Sequence, residues 1–317
     1  MMKEKRFGHK VFWLAVIASL GGFLFGYDTA VISGTLSFVR NQFALDAAME
    51  GWYVSCALVG CIGGVSLAGW LSDKFGRKRI LLLAATLFTI SAMGCSVSDS
   101  FSTLVVFRLI GGMGVGIASM VSPLYISEIS PPALRGRLVA LYQFSITFGI
   151  LCSFFINAWL LKSSSHEMFD NETMQLVFRA EVWRAMLGME AVPALLFFIF
   201  VTTIPKSPRW LVVNGQEEKA SVILSRIIGP ESASSEIREI KDTLDIGKGS
   251  WRMVLEPGIK VAILLGMSLA VLQQFTGIDA VIYYGPKILE QAGFQLSEAL
   301  NGQVIIGLIN MSFTLIA

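Results

Sequence analysis

Charge is what this chain has least of. Asp, Glu, Lys and Arg make up 15% of its 317 residues against 54% hydrophobic ones, and the mean hydropathy is +0.65. Water-soluble domains carry about 25% charged residues, so the composition is that of an integral membrane protein. Histidine is almost absent: His9 and His166 are the two present, which leaves little material for His-based catalysis. The four cysteines, Cys56, Cys61, Cys95 and Cys152, sit inside apolar runs without metal or disulfide spacing and read as small hydrophobes. No nucleophile–base pair, metal-ligand set or cofactor motif stands out, so no enzyme and no cofactor are expected. No basic face of the kind that binds nucleic acid is visible, and the net charge of +2 says less than the distribution of the charges along the chain.

What is abundant is apolar sequence in long runs. Eight segments approach the roughly 20 residues needed to cross a bilayer: 11–39, 50–71, 80–98, 102–127, 138–161, 183–204, 259–290 and 300–317. The first follows Lys3, Lys5, Arg6 and Lys10. Its apolar stretch is too long for a secretory signal, and no small-residue cleavage site follows it. Lys74, Arg77, Lys78, Arg79, Arg135, Arg137 and the Lys/Arg of 205–260 fall on the same side as that leader. Only Arg40, Lys162, Arg179, Arg184 and Lys287 fall on the other. Positively charged loops stay in the cytoplasm, so a multi-pass protein of the plasma membrane, by expectation a bacterial inner membrane, with a cytoplasmic N-terminus is predicted.

Residues 1–204 read as a six-span half. Residues 205–258 are polar and longer than any other connection, with apolar residues at helical spacing in Gln216–Ile228 and Ser232–Ile246, as in amphipathic helices lying on the cytoplasmic face. Spans resume over 259–317. The last one reaches Ala317 with no polar flank, from which a chain lacking the rest of a second half is expected, with that remainder needed for full activity.

Several constellations exceed what an anchor needs. Asp73-x-x-Gly76-Arg77-Lys78-Arg79 joins the second and third spans, and Arg77 and its neighbours can bond helix C-termini. Gly22-xxx-Gly26, Gly60-xxx-Gly64 and Gly112-xxx-Gly116 let helices approach closely. The nucleotide-like Gly112-Met-Gly114-Val-Gly116 lacks the strand–turn–helix context of a phosphate cradle. Asp28, Arg108, Glu190 and Asp279 are ionisable residues within spans. At about 1.5 Å per residue, Asp28 lies roughly 27 Å above Lys10, Arg108 roughly 14 Å below Asp99, and Glu190 roughly 9 Å from Arg184. Asp28, Arg108 and Glu190 therefore share the outer half of the bilayer. Isolated charges there cost several kcal/mol, so a cluster is predicted. Two acids sharing one cation leave a surplus negative charge that a proton relieves. A proton-coupling site and a static salt bridge both fit. Glu128, Arg135 and Arg209 are expected to form salt bridges that close the cytoplasmic side. Asn171-Glu-Thr173 matches a glycosylation sequon.

The seventh span carries Gln273-Gln274-Phe275-Thr276-Gly277-Ile278-Asp279, then Tyr283-Tyr284-Gly285-Pro286. Amides, an acid, phenols and helix breakers at membrane depth are costly unless they face a polar cavity. A hydroxyl-rich solute is the cargo that uses all of them.

Taken together, these motifs resemble the sugar porter family of the major facilitator superfamily, over Gly26–Gly34, Asp73–Arg79, Arg108–Gly116, Pro123–Arg137, Pro205–Leu211 and Gln273–Pro286. The likeness is to bacterial sugar–proton symporters of the xylose type. It implies an all-α bundle built from two six-helix halves, of which this chain holds the N-terminal half, span seven and part of span eight. It implies Asp28 as the proton-coupling acid with Arg108 as its partner, and sugar contacts from Gln143, Gln273, Gln274, Tyr283 and Asn310, with Phe25 lining the pocket. A monosaccharide or related polyol, protons and the bilayer are the implied partners. Three residues depart from the pattern: Asp279 for Asn, Ile150 for the Gln of xylose symporters, and Lys206 for Glu. The expected function is sugar–proton symport by alternating access, with an uncoupled facilitator or a transporter-like sugar sensor as alternatives.

Overall fold

A computed structural model describes residues 2–164, 181–245 and 257–316. The sequon Asn171–Thr173 and His166 lie outside the described residues. The described residues are helical apart from turns and short links: α1 (Met2–Gln42), α2 (Ala47–Phe75), α3 (Arg77–Ser96), α4 (Phe101–Ile129), α5 (Pro132–Ser163), α6 (Val182–Gly188), α7 (Ala191–Thr203), α8 (Pro208–Val213), α9 (Glu217–Ile228), α10 (Pro230–Asp245), α11 (Pro257–Phe275), α12 (Ile278–Gln291) and α13 (Leu296–Ile316). Among them are eight stretches long and apolar enough to span a membrane, with α6–α7 and α11–α12 each counting as one. These match the eight apolar segments read from the sequence.

Local chemistry sets the ends of the helices. Asp46 caps α2 by accepting from the Met49 amide at 2.8 Å, and Ser100 caps α4 by accepting from Thr103 at 3.2 Å. Pro132 and Pro208 open α5 and α8, where a missing amide costs nothing. The span made by α6 and α7 is broken at Met189–Glu190. Pro193 has no amide to give to the Met189 carbonyl, and in a regular helix its ring would clash with that carbonyl. The Glu190 amide turns to Leu187 and the Val192 amide to Met189, three residues back instead of four.

α1 packs along α5, and α4 packs against α2 and α3. The paired glycines are what permit this. A Cβ on Gly26 would stand 2.0 Å from the Ile146 carbonyl oxygen, and one on Gly112 would stand 2.0 Å from that of Ala57. Gly60 and Gly64 meet Leu109 and Met113 of α4 in the same way. The apolar interior is bounded by an equally apolar exterior: Trp52, Ile62, Trp70 and Phe155 are exposed, as befits a lipid-facing surface. Residues 258–276, which include nearly all of α11, are exposed throughout. α12 packs on α1, and α13 packs on α5.

The amphipathic stretches form α9 and α10. With α8 they bury Trp210, Leu211, Val212, Ala220 and Ile240 in a small core of their own. Trp210 joins this core to the bundle: its indole N–H donates to the Asp73 carbonyl at 2.8 Å. Its ring covers Gly76, whose φ of +87° makes the sharp turn between α2 and α3.

Candidate functional site

Asp28 of α1, Arg108 of α4 and Glu190 at the α6–α7 break converge inside the bundle. Each is buried, with 1–2% of its surface exposed. A guanidinium N–H of Arg108 donates to the Asp28 carboxylate. Glu190 lies against Asp28, within electrostatic reach of Arg108. Gly111 lets α4 approach Ser91 of α3 beside this contact: a Cβ there would stand 2.4 Å from Ser91 Oγ, while its 3.8 Å to Asp28 Oδ1 would be an ordinary contact. Two acids and one cation carry a formal surplus of one negative charge, and the cluster keeps unused hydrogen-bonding capacity. Glu190 Oε1, Arg108 Nε and the Tyr27 hydroxyl are buried without a partner, and Tyr27 is within electrostatic reach of Glu190. An arrangement of this kind can take up one proton at a carboxylate and become neutral.

α12 passes this cluster. Gly277, at φ +74°, separates it from α11. Tyr283 is half-buried beside Thr29 of α1, within electrostatic range of Asp279, Asp28 and Arg108. Asp279, one turn earlier, is partly exposed on the same helix. Phe25 and Asn310 are partly buried, on α1 and α13. Gln143 of α5 is exposed, as are Gln273 and Gln274 on α11. The structure thus brings Tyr283, and Asp279 with it, to the charge cluster, and leaves the three glutamines on open faces.

At the other end of the bundle, Glu128 closes α4. Its ion pair is with Arg77, at 2.9 Å, and it also accepts from the Ser207 hydroxyl at 2.5 Å. Arg77 reaches back to Asp73 at 3.0 Å as well. The bridge expected from Glu128 to Arg135 and Arg209 has a different form: both arginines are exposed and flank Glu236 of α10. Pro131 and Pro132 turn the chain after α4, whereas the Gly76 turn delivers Arg77 to Glu128. Partial burial, with Glu239 adding to it, pushes the Glu236 carboxyl upward, and Arg135 and Arg209 oppose that shift. Ser207 was not singled out in the sequence, although it stands between Lys206 and Pro208 as the N-cap of α8. Tyr27, next to Asp28, likewise carries no signal in the sequence that marks it for the cluster.

The profile of the Sugar (and other) transporter family matches residues 14–317. The chain belongs to the sugar porter family of the major facilitator superfamily. It is 39% identical over 308 residues to the arabinose-proton symporter of Bacillus subtilis, covering 97% of this chain and 64% of that protein. To the D-xylose-proton symporter of Escherichia coli it is 38% identical over 333 residues, covering 97% and 66%. The chain therefore spans just under two thirds of the length of each. Among solved structures, the partially occluded inward-open conformation of the xylose transporter XylE from E. coli superposes with a TM-score of 0.82 at 36% identity, covering 96% of this chain and 72% of that one. The bundle is that of a sugar porter, and its family is one of transporters.

Proposed function

We propose that the whole protein is a sugar:proton symporter of a bacterial plasma membrane, working by alternating access with its N-terminus in the cytoplasm. The observation that carries this reading is the buried Asp28–Arg108–Glu190 cluster, in which two acids share one cation. Proton and sugar couple when each favours states that the other also favours. A proton entering the cluster loosens the hold of Asp28 on Arg108 and frees α1 and α4 to move. Sugar binds beside the cluster. Tyr283, Asp279, Asn310, Gln143, Gln273 and Gln274 offer donors and acceptors to hydroxyls, and Phe25 covers apolar C–H faces. At the cytoplasmic end, Asp73, Gly76, Arg77 and Glu128 tie α2, α3 and α4 together, with Arg135 and Arg209 joining through Glu236. The positive-inside distribution supports the orientation. The names of the arabinose-proton and D-xylose-proton symporters support a monosaccharide or polyol as cargo and the proton as coupling ion.

In cells energised by a proton gradient, Asp28→Asn should abolish uphill sugar accumulation and spare exchange or downhill flux. Accumulation at the parent level in that variant removes Asp28 from the mechanism.

A further inference from the structure

A second ionic cluster lies at the outer end of the bundle, away from the proton site. Glu50, in the first turn of α2, is buried to 3% exposure, an unusual place for an acid at the end of a span. Lys287 of α12 donates to its Oε1, and Arg40 at the end of α1 faces its Oε2 at 3.5 Å. Next to them, the Ser37 hydroxyl of α1 donates to Glu290 of α12 at 2.9 Å. Two acids and two bases from three helices thus make a neutral group around a cleft of about 310 Å³.

Its position on α12 gives the group its meaning. α12 begins after the left-handed Gly277 and is followed by Gly293 at φ +98°. Lys287 comes directly after the Gly285-Pro286 step, so the helix carries a proline within it and a left-handed glycine on either side. Its inner half presents Asp279 and Tyr283 near the cluster, and its outer half is held to α1 and α2 by Lys287 and Glu290. A buried ion pair roughly breaks even against hydration of the separated ions, yet it specifies one geometry closely. That balance suits a contact made and released in each cycle better than a permanent brace, for which apolar packing serves.

We propose that Glu50 and Lys287, with Arg40 and the Ser37–Glu290 bond beside them, are positioning residues that hold α12 in its outer-closed placement. They act on the sugar through Tyr283 and Asp279, without touching it. The proposal rests on the transport reading for the outer side, the alternation between closed and open placements, and the sugar contacts of Tyr283 and Asp279.

The test uses Leu36→Cys, a residue 2% exposed that lines the cleft. Its modification by a membrane-impermeant maleimide is followed by peptide mass in the full-length protein, in sealed right-side-out vesicles without sugar. Lys287→Gln should speed labelling at least about fivefold, the lower end of ordinary coupling between sites. Lys287→Arg should return it to within about twofold of the parent, and Glu50→Gln with Lys287→Gln should be no faster than either alone. The half-saturating concentration of outside sugar should change in Lys287→Gln while exchange continues. Arg40→Gln, at a half-exposed position, gives a milder increase and keeps the test available where a buried variant does not fold. Labelling rates within about twofold of the parent in both Lys287→Gln and Arg40→Gln overturn the proposal. Because labelling is read without sugar, failure of the transport reading leaves this result intact, and slow labelling with normal transport rejects the clamp alone.

Discussion

The charge arithmetic of the buried cluster predicts that its members are unequal. Among the described residues Arg108 is the cation that Asp28 and Glu190 share, and the side chains of Arg108 and Asp28 are 2% and 3% exposed. Arg108→Met leaves two carboxylates facing each other without a counter-charge. Breaking a buried pair in this way costs about 3–5 kcal/mol. At about 2 °C per kcal/mol for a chain of this size, the expected loss is roughly 6–10 °C in Tm. Asp28→Asn keeps the shape of the site, and Arg108 retains Glu190, whose Oε1 is free to accept. The variant cluster is formally neutral, so its Tm should fall by less than about 3 °C. Thermal unfolding of the purified full-length protein at pH 7, followed by intrinsic tryptophan fluorescence, compares the two directly; Trp183 is a buried reporter. Equal losses, or a larger loss in Asp28→Asn, refute the view that two acids depend on one cation.

Packing and exposure set the expected outcomes of three further variants. Gly112→Leu places a side chain where even a Cβ would stand 2.0 Å from the Ala57 carbonyl; overpacking of about 3 kcal/mol or more should separate α2 from α4 and leave no monodisperse protein on size-exclusion chromatography. Glu128→Gln should cost about 1.5–3 kcal/mol in thermal unfolding, because it removes the charge holding Arg77. Arg209→Gln, at an exposed site, should stay within about 0.5 kcal/mol of the parent. Comparable losses at the two sites would show that Arg77 is not the partner that matters.

The spans were legible because a bilayer requires long apolar runs, and caps such as Asp46 and Ser100 mark where they begin. The meeting of Asp28, Arg108 and Glu190 was legible from depth alone, since buried charges at one level have few alternatives to one another. The means by which Glu190 gets there were not read. Pro193, three residues on, breaks the span, and its effect falls on a residue that precedes it. Partner choice at the helix ends was the least legible part. Glu128 pairs with Arg77 because of a glycine turn 52 residues earlier in the chain. Lys287 reads as an ordinary charge at the end of a span, and nothing in the sequence ties it to Glu50, which the packing of α12 on α1 sets against it. The glutamines Gln273 and Gln274 advertise a polar face clearly, while the groups that face meets depend on packing of α11 that local sequence does not encode.

The central claim is that sugar and a proton cross together through the site containing Asp28. Its most direct measurement is the external pH of a lightly buffered suspension of de-energised vesicles containing the full-length protein, on addition of a sugar that it takes up. Immediate alkalinisation that accompanies uptake and is lost in Asp28→Asn is the predicted result. Sugar entry with no proton movement would contradict it.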